Sequence, residues 1–288
     1  MIRSFNILLI SQCKITLITV LIALVAFVLS TGCTNPEKQS TKSLIPEMER
    51  LGSRGFLSMD ALPDSVALLP PPPAEGSIAY ELDKEINRKS FSLRGSPRWD
   101  MAADHLNELI PDSIDAFYCS LNAQITEDET PYLYALLFRT FDDITFTQLA
   151  TNYKYNRPRP FFVNNEPKCV RQKRGYYESY PSGGAAAFWA MALILSEIAP
   201  ERSDDIFARG RAFGQSYVIC NDRWQSDVNE GRVIGSIVVA RLHALPEFQE
   251  YIEAAKLELA AVWAKDLPPI RDCDAENAVV FQNSLTRF

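Results

Sequence analysis

Histidine is almost missing from this sequence: its 288 residues include two, His105 and His243. Any imidazole chemistry must therefore rest on these two side chains or be absent. Basic residues are also in deficit, 29 Lys and Arg against 36 Asp and Glu, for a formal net charge of −7. That balance argues against nucleic acid as a partner, because such binding relies on a basic surface that releases counterions. It leaves small anionic ligands open, since one basic pocket can sit in an acidic surface. No segment keeps a period-two alternation of apolar and polar residues and hairpin turn signals are few, so an extensive sheet is not expected. No CxxC pattern is present, and neither a metal nor a cofactor is expected.

What the chain does have begins with an export signal. Arg3 and Lys14 flank a first apolar stretch, residues 15–29 are an almost uncharged apolar run, and Ser30-Thr31-Gly32-Cys33 follows. Small residues before a cysteine predict a bacterial lipoprotein signal over 1–33, with Cys33 lipidated, the membrane engaged through that lipid, and a periplasmic location. An ordinary cleaved signal peptide and an uncleaved membrane anchor are the alternatives, and all three place the body outside the cytoplasm. Residues 34–67 read as a polar tether. The domain is expected over 68–288, starting at Leu68-Leu69 and the extended run Pro70 to Pro73. In an oxidising compartment the four body cysteines, Cys119, Cys169, Cys220 and Cys273, predict two disulfides with three possible pairings.

Apolar residues at three- and four-residue spacing predict helices over 77–91 and 98–109; Thr130-Pro131 opens a helix that runs to about Tyr155, the Ala-rich 184–198 reads as helical, 203–218 and 224–245 follow, and Pro246 opens a last helix to about Lys265. The fold expected is all-α, one helical-bundle domain.

Three segments occur in order along these helices: NYKYNRPRPFF at 152–162, SYPSGG at 179–184 and GQSYVICNDRWQSDV at 214–228. Together with LLPPPP at 68–73, RWDMAADH at 98–105, TPYLYALL at 130–137 and ARLHALPEF at 240–248, they resemble the class A bacterial acid phosphatases. That family belongs to the type 2 phosphatidic acid phosphatase and vanadium haloperoxidase superfamily. The resemblance implies hydrolysis of phosphate monoesters through a phosphohistidine. A lysine and an arginine in block one, a serine and amides in block two, and an arginine in block three hold the phosphate. One histidine protonates the leaving group, another attacks phosphorus, and an aspartate four residues later orients the second.

Carried over residue by residue, much of that machinery is replaced. Arg159, Ser182, Gly183 and Asp227 match. Asn152 stands for the lysine, Gly184 for the acid, Tyr217 for the second arginine and Arg223 for the nucleophile. Lys154 is two residues off, roughly 200° around a helix. Arginine does not deprotonate usefully at physiological pH, and glycine has no proton to give. His105 and His243 lie outside the blocks and are expected to be structural. Cys169 and Cys220 miss the C-x5-R spacing of a cysteine phosphatase, and Asp272-Cys273-Asp274 lacks the strand that an aspartyl phosphatase motif needs.

A phosphate-like anion or phosphomonoester could still be held by Arg159, Ser182, Arg223 and the amides at Gly183-Gly184, where a helix begins. Arg223 could equally pair with Asp227 at i, i+4. Arg171, Lys173 and Arg174 form a basic run read as a solvated loop. The GxxxG at Gly231–Gly235 is read as close helix packing. Convergence of the blocks, as the resemblance implies, favours Cys169–Cys220 and leaves Cys119–Cys273. Two functions remain open: an inactive pseudo-phosphatase that binds anions, and a divergent phosphatase with another nucleophile.

Overall fold

The computed structural model describes residues 55–107, 112–170 and 177–281. Cys33 and the segments 1–33 and 34–54, like Arg171, Lys173 and Arg174, lie outside the described residues. The described chain is helical: α1 Ser65–Leu68, α2 Ile78–Ser90, α3 Pro97–Asn107, α4 Tyr118–Leu121, α5 Pro131–Tyr155, α6 Pro160–Asn164, α7 Gly183–Ile198, α8 Ser203–Ile219, α9 Gln225–Leu242, α10 Pro246–Trp263 and α11 Cys273–Phe281. Among the described residues there is no strand, and a single isolated antiparallel bridge joins Pro158 and Glu178. The all-α expectation holds.

Helix α7 is the axis of the body. Its sequence, GGAAAFWAMALILSEI, is apolar on nearly every face, as a helix surrounded by others must be. It packs against α8 and α9 most extensively, then against α5 and α10. The small residues set how close these helices come. A Cβ on Gly231 would stand 2.4 Å from the Ser182 carbonyl oxygen, and one on Gly235 would stand 2.4 Å from that of Ala186. The GxxxG of α9 is thus a packing device. It brings the start of α9 beside the start of α7, which puts blocks two and three side by side.

The boundary expected at Leu68 needs correction. Residues 55–67 are not tether but part of the body. Leu57 is buried, the Phe56 and Leu57 N–H groups donate to Asp143 on α5 at 2.9 and 3.1 Å, and Ser65 Oγ donates to the Thr147 carbonyl at 2.6 Å. Phe56 packs edge-on against Phe248 and Tyr251 of α10. Leu57, Phe56, Ala61 and Leu62 of this segment join or pack against the core, but they fall in a short stretch broken by Pro63 that shows no sustained period.

Both disulfides form within the Cα separation a bridge requires, roughly 4.4–6.8 Å. Cys119–Cys273 joins α4 to α11 across 5.2 Å, and Cys169–Cys220 joins the loop after α6 to the end of α8 across 4.8 Å. Helix α11, beyond the last helix expected from the sequence, starts at the bridged Cys273.

Candidate functional site

The three blocks converge. Block one is the C-terminal end of α5 and the turn into α6. Asn156 adopts a left-handed conformation at the end of α5, and the two prolines that follow hold the chain extended. Arg157 and Arg159 project from this turn into the interior, each 6% exposed. Asn152 faces block two, its Nδ2 donating to the carbonyls of Tyr180 at 2.7 Å and Pro181 at 3.2 Å.

Block two enters α7 through a cis Tyr180–Pro181 peptide. Ser182 caps the helix, its Oγ accepting from the Ala185 N–H at 3.3 Å, while its own N–H donates to the Asp227 carbonyl at 2.9 Å. Gly183 and Gly184, the first residues of α7, are covered by side chains. A Cβ on Gly183 would meet Gln148 at 2.2 Å, and a Cβ on Gly184 would meet the Tyr217 hydroxyl at 1.9 Å. Tyr217 therefore occupies the space that any side chain at 184 would need. It is partly buried, and burial raises its phenol to about 12.

Block three spans the end of α8 and the start of α9. The Asp222 and Arg223 N–H groups both donate to the Tyr217 carbonyl, closing the turn. Trp224 is the N-cap of α9, and Asp227 Oδ2 accepts its N–H at 2.8 Å. Of the two readings open for Arg223, the pair with Asp227 is not formed, since Asp227 bonds Arg157. Arg223 precedes the cap, so residues 223 and 227 do not share a helical face. Arg223 instead turns back onto Asp222, its neighbour in sequence.

Two buried ion clusters result. In one, Arg157 reaches Asp83 Oδ2 at 2.8 Å and Asp227 Oδ1 at 2.6 Å, with Ser226 Oγ accepting at 2.8 Å. Ser179 donates to Asp227 by a short bond, and Ser226 donates likewise to Asp83. Burial raises the Asp227 carboxyl above its ordinary 3.8 despite the opposing pull of Arg157 and the hydrogen bonds from Ser179 and Trp224. In the other cluster, Arg159 Nη1 lies 3.0 and 2.9 Å from the two Asp222 oxygens. Lys168 Nζ lies 2.8 Å from Oδ1, and Arg223 Nη1 closes on Oδ2. Burial alone would push Asp222 up, but Arg223, Arg159 and Lys168 together hold it at about 2. Arg159 is itself lowered to about 10, by burial and then by Arg223.

So Arg159 and Arg223, placed on one site by the sequence, do meet, and they meet across Asp222. Sequence reasoning did not single out Asp222, Lys168 or the paired role of Arg157. The signal for Asp222 was its adjacency to Arg223. Lys168 could have been found only through the Cys169–Cys220 bridge beside it.

Neither histidine joins the two ion clusters, although His105 contacts Ser216 of block three. His105 Nδ1 lies 2.8 Å from Ser216 Oγ, and its ring stacks on Phe213 at 4.1 Å. Burial, then Arg209 and Arg98, lowers its pKa well below the ordinary value. His243 binds Glu197 at 2.7 Å and the Val239 carbonyl at 2.8 Å. A cavity of about 520 Å³, lined by Tyr118, Arg202, Trp263 and Pro268 among others, includes no residue of the three blocks.

Comparison with known proteins agrees with this architecture. The PAP2 superfamily matches over residues 130–250, which hold all three blocks. A non-specific acid phosphatase of Providencia stuartii is 40% identical over 201 residues, covering 68% of this chain and 81% of the relative. One from Salmonella typhimurium is 37% identical over 212 residues, covering 71% and 83%. An acid phosphatase of Zymomonas mobilis is 30% identical over 246 residues, covering 83% and 88%. With a helical body built around α7 and the three blocks gathered at one end of it, the chain belongs to the bacterial non-specific acid phosphatase family of the PAP2 superfamily.

Proposed function

We propose that this protein is a catalytically silent member of its family: it keeps the acid phosphatase framework and does not hydrolyse phosphate monoesters. The observation that carries the reading is Arg223. It stands where the family resemblance puts the nucleophile, and it is a guanidinium engaged with Asp222. A guanidinium stays protonated at physiological pH and offers no lone pair to phosphorus. Gly184, at the position of the general acid, has no proton to deliver. His105 is enclosed by Ser216 and Phe213, and His243 is held by Glu197, so neither stands in for the missing groups. Absence of the acid alone removes a factor of about 10²–10⁴ in rate, and absence of the nucleophile removes the covalent route. We further propose that the body is exported and tethered through a lipid on Cys33, as the sequence pattern supports.

The test is hydrolysis of p-nitrophenyl phosphate across pH 4–8 by the purified protein, beside an active relative prepared identically. The expected rate is that of buffer. Turnover that persists through purification and disappears in Arg159→Met would overturn the reading. For the tether, radiolabelled fatty acid should be incorporated by the full chain and not by Cys33→Ala.

A further inference from the structure

The phosphate-like anion that the blocks would gather is already supplied by the chain. Asp222 is 3% exposed, and both of its oxygens are bound by cations. Arg159 spans the two, Lys168 takes Oδ1 and Arg223 takes Oδ2. Two of these three cations are the ones the sequence assigns to phosphate. A carboxylate held by charge-assisted bonds from several cations matches a bound oxyanion in charge sign, oxygen spacing and donor demand. Unlike a ligand it cannot diffuse away, and no translational entropy is lost in placing it.

We propose that Asp222 is an internal counter-ion that occupies the anion site, so that the wild-type protein is closed to phosphate and removing the carboxylate opens a latent oxyanion site. This inference rests on the reading of the blocks as a silent phosphate site. Three cations against one carboxylate leave a formal excess of two positive charges in the cluster. Neutralising Asp222 raises that excess to three within a buried space, where uncompensated charge is costly. A phosphate or sulfate ion is the natural replacement. Tyr217 and Gln148 support the closed state by covering the Gly184 and Gly183 end of α7, which would otherwise present amides to an anion.

Asp222→Asn preserves shape and removes the charge. Calorimetric titration with inorganic phosphate, with sulfate in parallel and chloride at matched ionic strength, should show at least tenfold tighter binding than wild type. The melting temperature of Asp222→Asn should rise with phosphate, as mass action requires of a ligand bound only by the folded state, while that of wild type should follow ionic strength alone. Adding Arg159→Met to Asp222→Asn should abolish the gain. An Asp222→Asn protein indifferent to phosphate would overturn the proposal. So would wild-type binding tighter than about 1 mM that Arg159→Met removes, an arm that stands even if Asp222→Asn does not fold. Neither readout requires turnover. Hydrolysis by wild type would refute the silent-enzyme reading, whereas phosphate indifference of Asp222→Asn refutes only the counter-ion.

Discussion

The two buried ion clusters use the same parts in opposite proportion. Around Arg157, one guanidinium serves two carboxylates, Asp83 and Asp227. Around Asp222, one carboxylate serves three cations, Arg159, Lys168 and Arg223. The first is formally negative by one and is completed by serine hydroxyls and the Trp224 N–H. It ties α2, the turn after α5 and the start of α9 into one body, and nothing in it calls for a ligand. The second is formally positive by two, and two of its cations, Arg159 and Arg223, come from blocks one and three, while Lys168 comes from the loop after α6. Charge stoichiometry, more than burial or hydrogen-bond count, distinguishes a lock from a site.

The sharpest way to break the comparison is to remove the central member of the first cluster. Arg157→Met strands two buried carboxylates and should cost about 3–5 kcal/mol, read from the denaturant midpoint. Phosphate should not recover any of it, because the residue excess is already negative. Loss equal to that of an exposed pair, under about 1 kcal/mol, would mean the cluster is not a lock. A smaller effect is expected from Cys169→Ser with Cys220→Ser. This bridge lies beside Lys168 and two residues before Asp222, so it clips the second cluster and not the first. Its removal should cost about 2–4 kcal/mol and weaken the Lys168–Asp222 pairing, while the additional penalty of Arg157→Met stays unchanged.

The smallest effect is in the pH profile. Asp222, at about 2 in the folded chain against an ordinary 3.8, contributes stability that is complete above about pH 4 and lost as pH falls toward 2. Asp227 is displaced the other way, so its contribution is greatest at low pH and declines as pH rises above 3.8. Denaturation midpoints between pH 2 and 6 should therefore diverge. Asp222→Asn should flatten the fall in stability toward acid, by about 2–3 kcal/mol over that limb, and Asp227→Asn should flatten the decline on the other side of pH 4. Identical profiles for the two variants would erase the distinction between the clusters.

Much of this was legible in the residues. The main helices were placed within a few positions, because α5, α8, α9 and α10 bury one face while α7 is an Ala-rich apolar run buried on nearly every face. The three blocks, separate in sequence, do converge at the start of α7. What escaped has physical reasons. Residues 55–67 dock through backbone N–H groups onto Asp143, and hydrogen bonds to a distant carboxylate leave no trace in local pattern. Burial raises that carboxyl to about 6 against those same two bonds, so its cost and its purpose are visible only in three dimensions. Spacing alone leaves an Arg223–Asp227 pair open, because i, i+4 implies contact only within a helix, and α9 starts just after Arg223. Lys168 meets Asp222 across 54 residues of sequence, a distance that spacing rules do not reach.

The interlock of Gly184 with Tyr217 bears on how the chain can change. A side chain introduced at 184 meets the Tyr217 ring and hydroxyl, so it requires Tyr217 to move out of its place. Shortening Tyr217 first opens a void against α7 with nothing to fill it. Each position blocks or penalises the first step at the other, and the two behave as a single heritable unit. Mutational walks that move one residue at a time meet a valley here, and paired libraries that vary 184 and 217 together are the route across it.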